Sequence, residues 1–212
     1  MAQTFADAEG RVIFDELVAM MVENRAYLSE VDGAIGDGDH GINMSKGFKM
    51  AAERVADDAG FVDAIKTLGK TLVMEIGGSM GPLYGAFFKA MAKAGTGKEE
   101  IDAPTFAAMI DDAYKQIQAL GNAQVGDKTL IDALDPAVSA LNDAVDSGKS
   151  FSEALDDMVA AAEKGKDSTK DMVAKVGRSA RLGERSRGVL DAGATSCFLI
   201  LQSMAESIKK LV

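Results

Sequence analysis

Residues 32 to 43 read Asp32-Gly33-Ala34-Ile35-Gly36-Asp37-Gly38-Asp39-His40-Gly41-Ile42-Asn43. Three aspartates within eight residues repel one another unless a cation lies between them. Carboxylate oxygens are the hard ligands that Mg²⁺ and Ca²⁺ take, and interspersed glycines allow a tight backbone to aim them inward. An EF-hand is excluded: the twelfth residue counted from Asp37 is Phe48 and from Asp32 is Asn43, so the closing Glu is missing. Few carboxylates, with room for non-protein ligands, suit Mg²⁺ held jointly by protein and phosphate. The other reading is a solvated turn, because Asp-Gly pairs are ordinary turn chemistry. His40, the only histidine, follows directly at the start of a helix. There it is either a donor to a phosphate, with Asn43 one turn further on, or a residue with a purely structural place.

Three further segments bear on the same chemistry. Gly77-Gly78-Ser79-Met80-Gly81-Pro82-Leu83-Tyr84-Gly85 places glycines before a proline-started helix, which exposes backbone N–H groups at a positive helix end. A plain interhelical loop is the alternative. Gly177 to Gly188 holds four arginines and one glutamate, a local charge of +3 in a chain whose remainder carries −13. Such a loop is a candidate phosphate clamp, since guanidinium matches phosphate oxygens bidentately; pairing with the chain's own carboxylates is the competing use. Gly126-Asp127-Lys128-Thr129 reads as a loop before a helix, equally well a cap with a solvated lysine. Two stretches that look like P-loop tails are dismissed. Gly69-Lys70-Thr71 has Ala64 where the earlier glycine is required, and Gly95-Thr96-Gly97-Lys98 lacks the following Ser or Thr.

Amphipathic helices have to position these segments. Val12, Ile13, Leu17, Met20, Met21 and Leu28 recur at helical spacing and predict one helix. Others are expected at about Ile42 to Val55, Phe61 to Ile76, Pro82 to Ala94, from Pro104 to Leu120, Leu130 to Val145, Phe151 to Ala162, and Ala194 to Leu211. Pro136 predicts a bend or late start in the sixth of these eight. No run alternates convincingly as a strand. Short connections favour antiparallel neighbours, hence a helical bundle or barrel. The methionines recur at helical spacing and belong to the core. Cys197 is the only cysteine, so no intramolecular disulfide forms, and its apolar neighbours make it an inert core thiol.

A net charge of −10 argues against non-specific binding to nucleic acid or anionic membranes as the main task, without opposing a local polyphosphate site. Met1 to Arg11 contains no apolar stretch after a basic start and no segment approaches a membrane span, so a cytoplasmic location is expected.

Taken together the segments carry a resemblance. Asp32 to Asn43 with the following Met44-Ser45-Lys46-Gly47-Phe48 resembles the metal and nucleotide motif of the L subunit, or C-terminal kinase domain, of dihydroxyacetone kinases. Gly77 to Gly85, Gly126 to Thr129, Gly177 to Ser186 and Asp191 to Ser196 resemble further family motifs in the same order. The resemblance covers nearly the whole chain. It implies an all-α antiparallel barrel of about eight amphipathic helices with the nucleotide site in the loops at one end, residues 1–212 forming one nucleotide-binding domain.

By that resemblance Asp32, Asp37 and Asp39 would bind two Mg²⁺ ions bridging the phosphates of ADP or ATP. His40, Gly41, Ile42, Asn43, Ser79, Met80, Gly121, Leu130, Arg178, Asp191, Ala192 and Gly193 would contact the nucleotide. The implied partner is a separate K subunit that holds the ketose covalently through a histidine, so this chain would be half of an enzyme. ATP would exchange each cycle, or ADP would stay bound and be recharged by a phosphotransferase-system phosphoprotein. A homodimer is compatible with the sequence, and a regulatory nucleotide-binding module without turnover is the alternative function.

Two departures stand out. The family's Ala-Ser is here Ser79-Met80, and its Gly-His-Gln-Asp-Pro-Gly-Ala is here Gly188-Val189-Leu190-Asp191-Ala192-Gly193-Ala194. They mark a divergent member and leave open another small ketose, such as a tetrulose, as substrate.

Overall fold

The structure, a computed structural model, describes residues 3–212. The first two residues of the Met1 to Arg11 segment read above therefore lie outside the described residues. Nine α-helices carry the described chain: α1 (Arg11–Glu23), α2 (Arg25–Gly33), α3 (His40–Ala52), α4 (Phe61–Glu75), α5 (Met80–Gly95), α6 (Ala103–Leu120), α7 (Ile131–Asp146), α8 (Phe151–Ser168) and α9 (Ala192–Ile208). From α3 to α9 each helix packs on the next, α9 packs on α1, and α1 packs on α3. Eight helices thus close a ring, and α2 lies against α3 and α9. Buried residues from every helix, among them Phe14, Leu17, Phe48, Phe88, Phe106 and Leu201, form one apolar cluster inside it.

The ring has two ends. Loops 34–39, 76–79, 121–130 and 169–191 gather at one, and the α3–α4, α5–α6 and α7–α8 connections lie at the other. An up-and-down path of helices produces this sorting. Among the described residues no helix is long and apolar enough to cross a membrane.

Local chemistry sets most boundaries. Asp102 caps α6 by accepting from Thr105 N at 2.9 Å, with Pro104 in the first turn. Ser150 and Glu153 form a reciprocal capping box at the start of α8. Asp191 caps α9 through Ala194 N at 2.7 Å. Pro136 does not delay α7, which continues through it. Proline leaves the Asp132 carbonyl without its helical donor, and Gly165 of α8 lies directly against that carbonyl. No side chain fits at Gly165, which is how α7 and α8 come so close.

Three expectations need correction. The helix predicted from Val12 to Leu28 is two, because Asn24 turns its side-chain amide onto the Met20 carbonyl at 2.9 Å and ends α1. Two strands exist, β1 (Thr4–Ala6) and β2 (Glu100–Asp102), paired antiparallel with Phe5 opposite Ile101. Each is three residues long, too short to alternate visibly, and buries only its central side chain. The segment after α8 is not plain loop: it forms 3₁₀ turns at Thr169–Asp171 and Ser179–Ser186. Cys197 is buried in α9 as expected, and burial pushes its thiol up to about 12.

Candidate functional site

A cleft of about 710 Å³ opens at the end of the ring where loops 34–39, 76–79, 121–130 and 169–191 meet. Its acidic wall is the α2–α3 loop. Ile35 N and Gly36 N both donate to the Asp32 carbonyl, at 3.1 and 2.6 Å, which folds the loop back on the end of α2. A side chain at Gly36 would collide with the Asp32 carboxylate, and Gly38 holds φ 77 in the left-handed region. The result brings carboxylate oxygens of Asp32, Asp37 and Asp39 within 4.8 Å of one another. Three hard oxygen donors at this spacing fit a small divalent cation. Here the cationic neighbour is the Arg178 guanidinium, which pairs with Asp37 across the cleft.

Besides that of α3, three helix starts face the same space. At α5 the Gly77-Gly78-Ser79-Met80 turn lines the cleft, with Gly78 at φ 71 and nothing within 4 Å of a methyl placed on Gly77 or Gly78. The helix begins at Met80 rather than Pro82, so Pro82 occupies its third position. The starts of α7 and α9 abut, with Gly193 backed against Leu130. Positive helix ends open onto the cleft from α5 and α9, where they favour an anion. Ile35, Leu83, Ile117, Leu130 and Ile131 give the cleft an apolar side suited to a heterocyclic base.

His40, buried at the first position of α3, hydrogen-bonds through Nε2 to Ser196 Oγ at 2.8 Å. Ser196 Oγ lies 2.6 Å from the Tyr84 hydroxyl, and Tyr84 also donates to the Gly193 carbonyl at 3.0 Å. This network locks together the starts of α3 and α9 and the first turns of α5. Burial pulls His40 down to about 4 and pushes the Tyr84 hydroxyl well above its usual range, so the network is uncharged at neutral pH. Burial likewise raises the Asp191 carboxyl to about 6, against the opposing backbone hydrogen bond from Ala194.

All the candidate residues line the cleft except Gly41 and Ile42. Gly41 serves packing: a side chain there would strike the Arg25 carbonyl where α2 crosses α3. Ile42 is 45% exposed outside the cleft. Of the four arginines in the basic segment, Arg178 and Arg181 line the cleft, whereas Arg187 is paired with Glu184 at 3.0 Å. Lys128 is not solvated: it is 1% exposed, and burial lowers its ammonium from the usual lysine range. Sequence reasoning gave no role to Lys128, Tyr84 or Ser196. The partners that explain them lie far away in the chain, so no local signal marks them. Gly69-Lys70-Thr71 lies within α4, and Gly95-Thr96-Gly97-Lys98 starts at the last residue of α5; neither lines the cleft.

The DAK2 domain family matches residues 34–206. The chain is 40% identical over 187 residues to the ADP-binding subunit DhaL of PEP-dependent dihydroxyacetone kinase 1 of Listeria innocua, covering 87% of this chain and 88% of that one. It is 37% identical over 188 residues to the ADP-binding subunit DhaL of the PTS-dependent dihydroxyacetone kinase of Lactococcus lactis, covering 88% and 90%. Among solved structures the fold matches the native dihydroxyacetone kinase of C. freundii with a TM-score of 0.72 at 24% identity, over 98% of this chain and 36% of that one. The same kinase in complex with AMP-PNP and Mg²⁺ matches with a TM-score of 0.69, also at 24% identity, over 98% and 35%. The chain belongs to the DAK2 domain family, that of the L subunits of dihydroxyacetone kinases.

Proposed function

We propose that residues 1–212 are one nucleotide-binding domain that serves as the phosphoryl-transferring subunit of a dihydroxyacetone-type kinase in the cytoplasm. The observation that carries this reading is the convergence of Asp32, Asp37 and Asp39 opposite Arg178, across a cleft bounded by helix starts and an apolar side. Phosphoryl transfer asks a protein mainly for positioning and charge neutralisation, and these groups provide both. The three aspartates would hold Mg²⁺, two ions by family resemblance, whose charge offsets that of the phosphates. The α5 start, with Ser79 and Met80, orients the phosphate chain by backbone N–H groups, and Arg178 supports the charge of the terminal group. Asn43 borders the phosphate end; Gly121, Leu130 and the Asp191 to Gly193 turn border the base. His40, neutral and committed to Ser196, fixes the site's geometry rather than donating a charge.

The ketose comes on a separate K subunit, in keeping with relatives named as ADP-binding subunits of dihydroxyacetone kinases. The names of the relatives, ADP-binding and PEP- or PTS-dependent, support ADP retained through the cycle and a phosphotransferase-system phosphoprotein as donor. Calorimetric titration with ADP and ATP, with and without Mg²⁺, tests the reading, together with an assay for ADP carried through purification. Mg²⁺-dependent binding is expected in the wild type, and Asp37→Asn should lower it at least tenfold. Nucleotide binding that ignores both Mg²⁺ and Asp37, or no binding at all, would overturn it. Binding intact but no turnover with K subunit and donor would instead mark a regulatory module.

A further inference from the structure

A buried ammonium sits beneath the arginine segment, and nucleotide binding alone gives it no task. Lys128 Nζ donates to the carbonyl oxygens of Ser186 at 2.6 Å, Val189 at 2.7 Å, Thr169 at 2.8 Å and Met172 at 3.3 Å. An ammonium has three N–H donors, so the three short bonds use its full capacity and the fourth carbonyl shares one. Thr169 and Met172 precede the arginine segment, and Ser186 and Val189 end it. One charge therefore holds both feet of an excursion whose middle presents Arg178.

The contrast between foot and tip is sharp. At the feet, Gly188 N donates to the Lys170 carbonyl at 2.7 Å and Ala174 N to Ser186 Oγ at 2.9 Å. At the tip, a methyl on Gly177 or Gly183 would meet nothing within 4 Å. Lys128 also holds φ 62, the one non-glycine residue in the left-handed region among those described. A lysine in that conformation and out of water is costly unless dipoles replace its hydration. Four carbonyls of one loop replace it only while that loop is folded over Lys128. The lysine's burial and the loop's conformation are thus conditions of each other.

We propose that Lys128 is a positioning residue whose ammonium ties down the feet of the arginine segment and so stands Arg178 opposite the aspartates. The tether itself needs no nucleotide; its effect on affinity rests on the nucleotide-binding reading above.

The test uses Lys128→Met and Arg178→Ala, singly and together, in the full chain. Limited trypsin digestion without nucleotide reads the tether, because Arg178, Arg181, Arg185 and Arg187 are its targets. Lys128→Met should be cut there at least tenfold faster than the wild type while its helical spectrum is kept. Calorimetry should give about tenfold weaker Mg-ADP binding for Lys128→Met, and no further loss when it is added to Arg178→Ala. A merely structural role would make the two losses add. In Lys128→Ala, n-propylammonium should restore both protection and affinity, which sodium chloride at equal ionic strength should not. Unchanged cleavage, additive losses or absence of amine rescue would each overturn the proposal. If Lys128→Met fails to fold, Lys128→Ala refolded with the amine decides by the same rescue. If the wild type binds no Mg-ADP, the functional reading falls, and the digestion still decides the tether.

Discussion

The acidic wall of the cleft is a local construction and the basic wall is not. Residues 32–39 leave α2, turn through the Asp32 carbonyl and Gly38, and enter α3, so three carboxylates converge within one short connection. The segment between α8 and α9 is anchored by bonds that reach across 41 to 61 residues to Lys128. The acidic side is shaped by which residues are adjacent, and the basic side by which residues are buried together. Damage to the first should therefore be abrupt and confined to metal-dependent binding, whereas damage to the second should be graded and pass through orientation.

Paired substitutions sharpen that contrast most. Asp39→Asn leaves the loop backbone in place but removes one of three clustered charges, and Mg²⁺-dependent ADP affinity measured by calorimetry should fall on the order of a hundredfold, with little change in melting temperature. Arg178→Ala should cost about tenfold in affinity but about a hundredfold or more in turnover with the K subunit and donor, since an arginine at the terminal phosphate acts chiefly on the transition state. Equal losses of affinity in the two variants would break the comparison.

A smaller effect is expected behind the basic wall. A methyl at Gly165 would overlap the Asp132 carbonyl and crowd Pro136. Asp132 in turn receives Gly126 N at 2.5 Å and Thr129 N at 2.7 Å, which shape the loop carrying Lys128. Gly165→Ala should lower stability by about 1–3 kcal/mol in urea unfolding, as overpacking does. It should also speed tryptic cutting in the arginine segment without altering the aspartate loop.

The smallest effect is a pH dependence. Burial raises the folded Asp191 carboxyl from 3.8 to about 6, so the folded chain binds this proton more tightly than the unfolded chain. The stability it contributes is fully present below about pH 4 and is lost as pH rises through about 6. Asp191→Asn keeps a competent helix cap and removes the titration. Between pH 5 and 7 the wild type should lose roughly 1 kcal/mol relative to this variant, read as the difference of their urea midpoints.

What was legible in the sequence follows the same division. The aspartates, the glycines between them and the start of α3 are neighbours in the chain, and their meeting needs no knowledge of the rest. The capping signals at Asp102 and Ser150 also act within three residues, so α6 and α8 start where their sequences say. The break at Asn24 was hidden because the apolar stripe from Met21 to Leu28 continues across it. The two strands were hidden because Phe5 and Ile101, which pair, lie far apart in the chain. Gly41 lies inside a motif, yet its missing side chain serves the crossing of α2 over α3. Arg178 and Arg187 are the same residue type in one basic run, and only the packed feet of the loop decide which of them faces the cleft.

The lone thiol of Cys197 has a practical consequence for labelling that loop. Buried in α9 and with its ionisation pushed up to about 12, it presents almost no thiolate to an alkylating dye. Native protein is in effect free of reactive sulfur, and a cysteine introduced at the exposed Arg185 would accept a fluorophore or spin label at one position. The fold thereby comes with a dark background, against which the conformation of the arginine segment could be followed in solution without first removing a native cysteine.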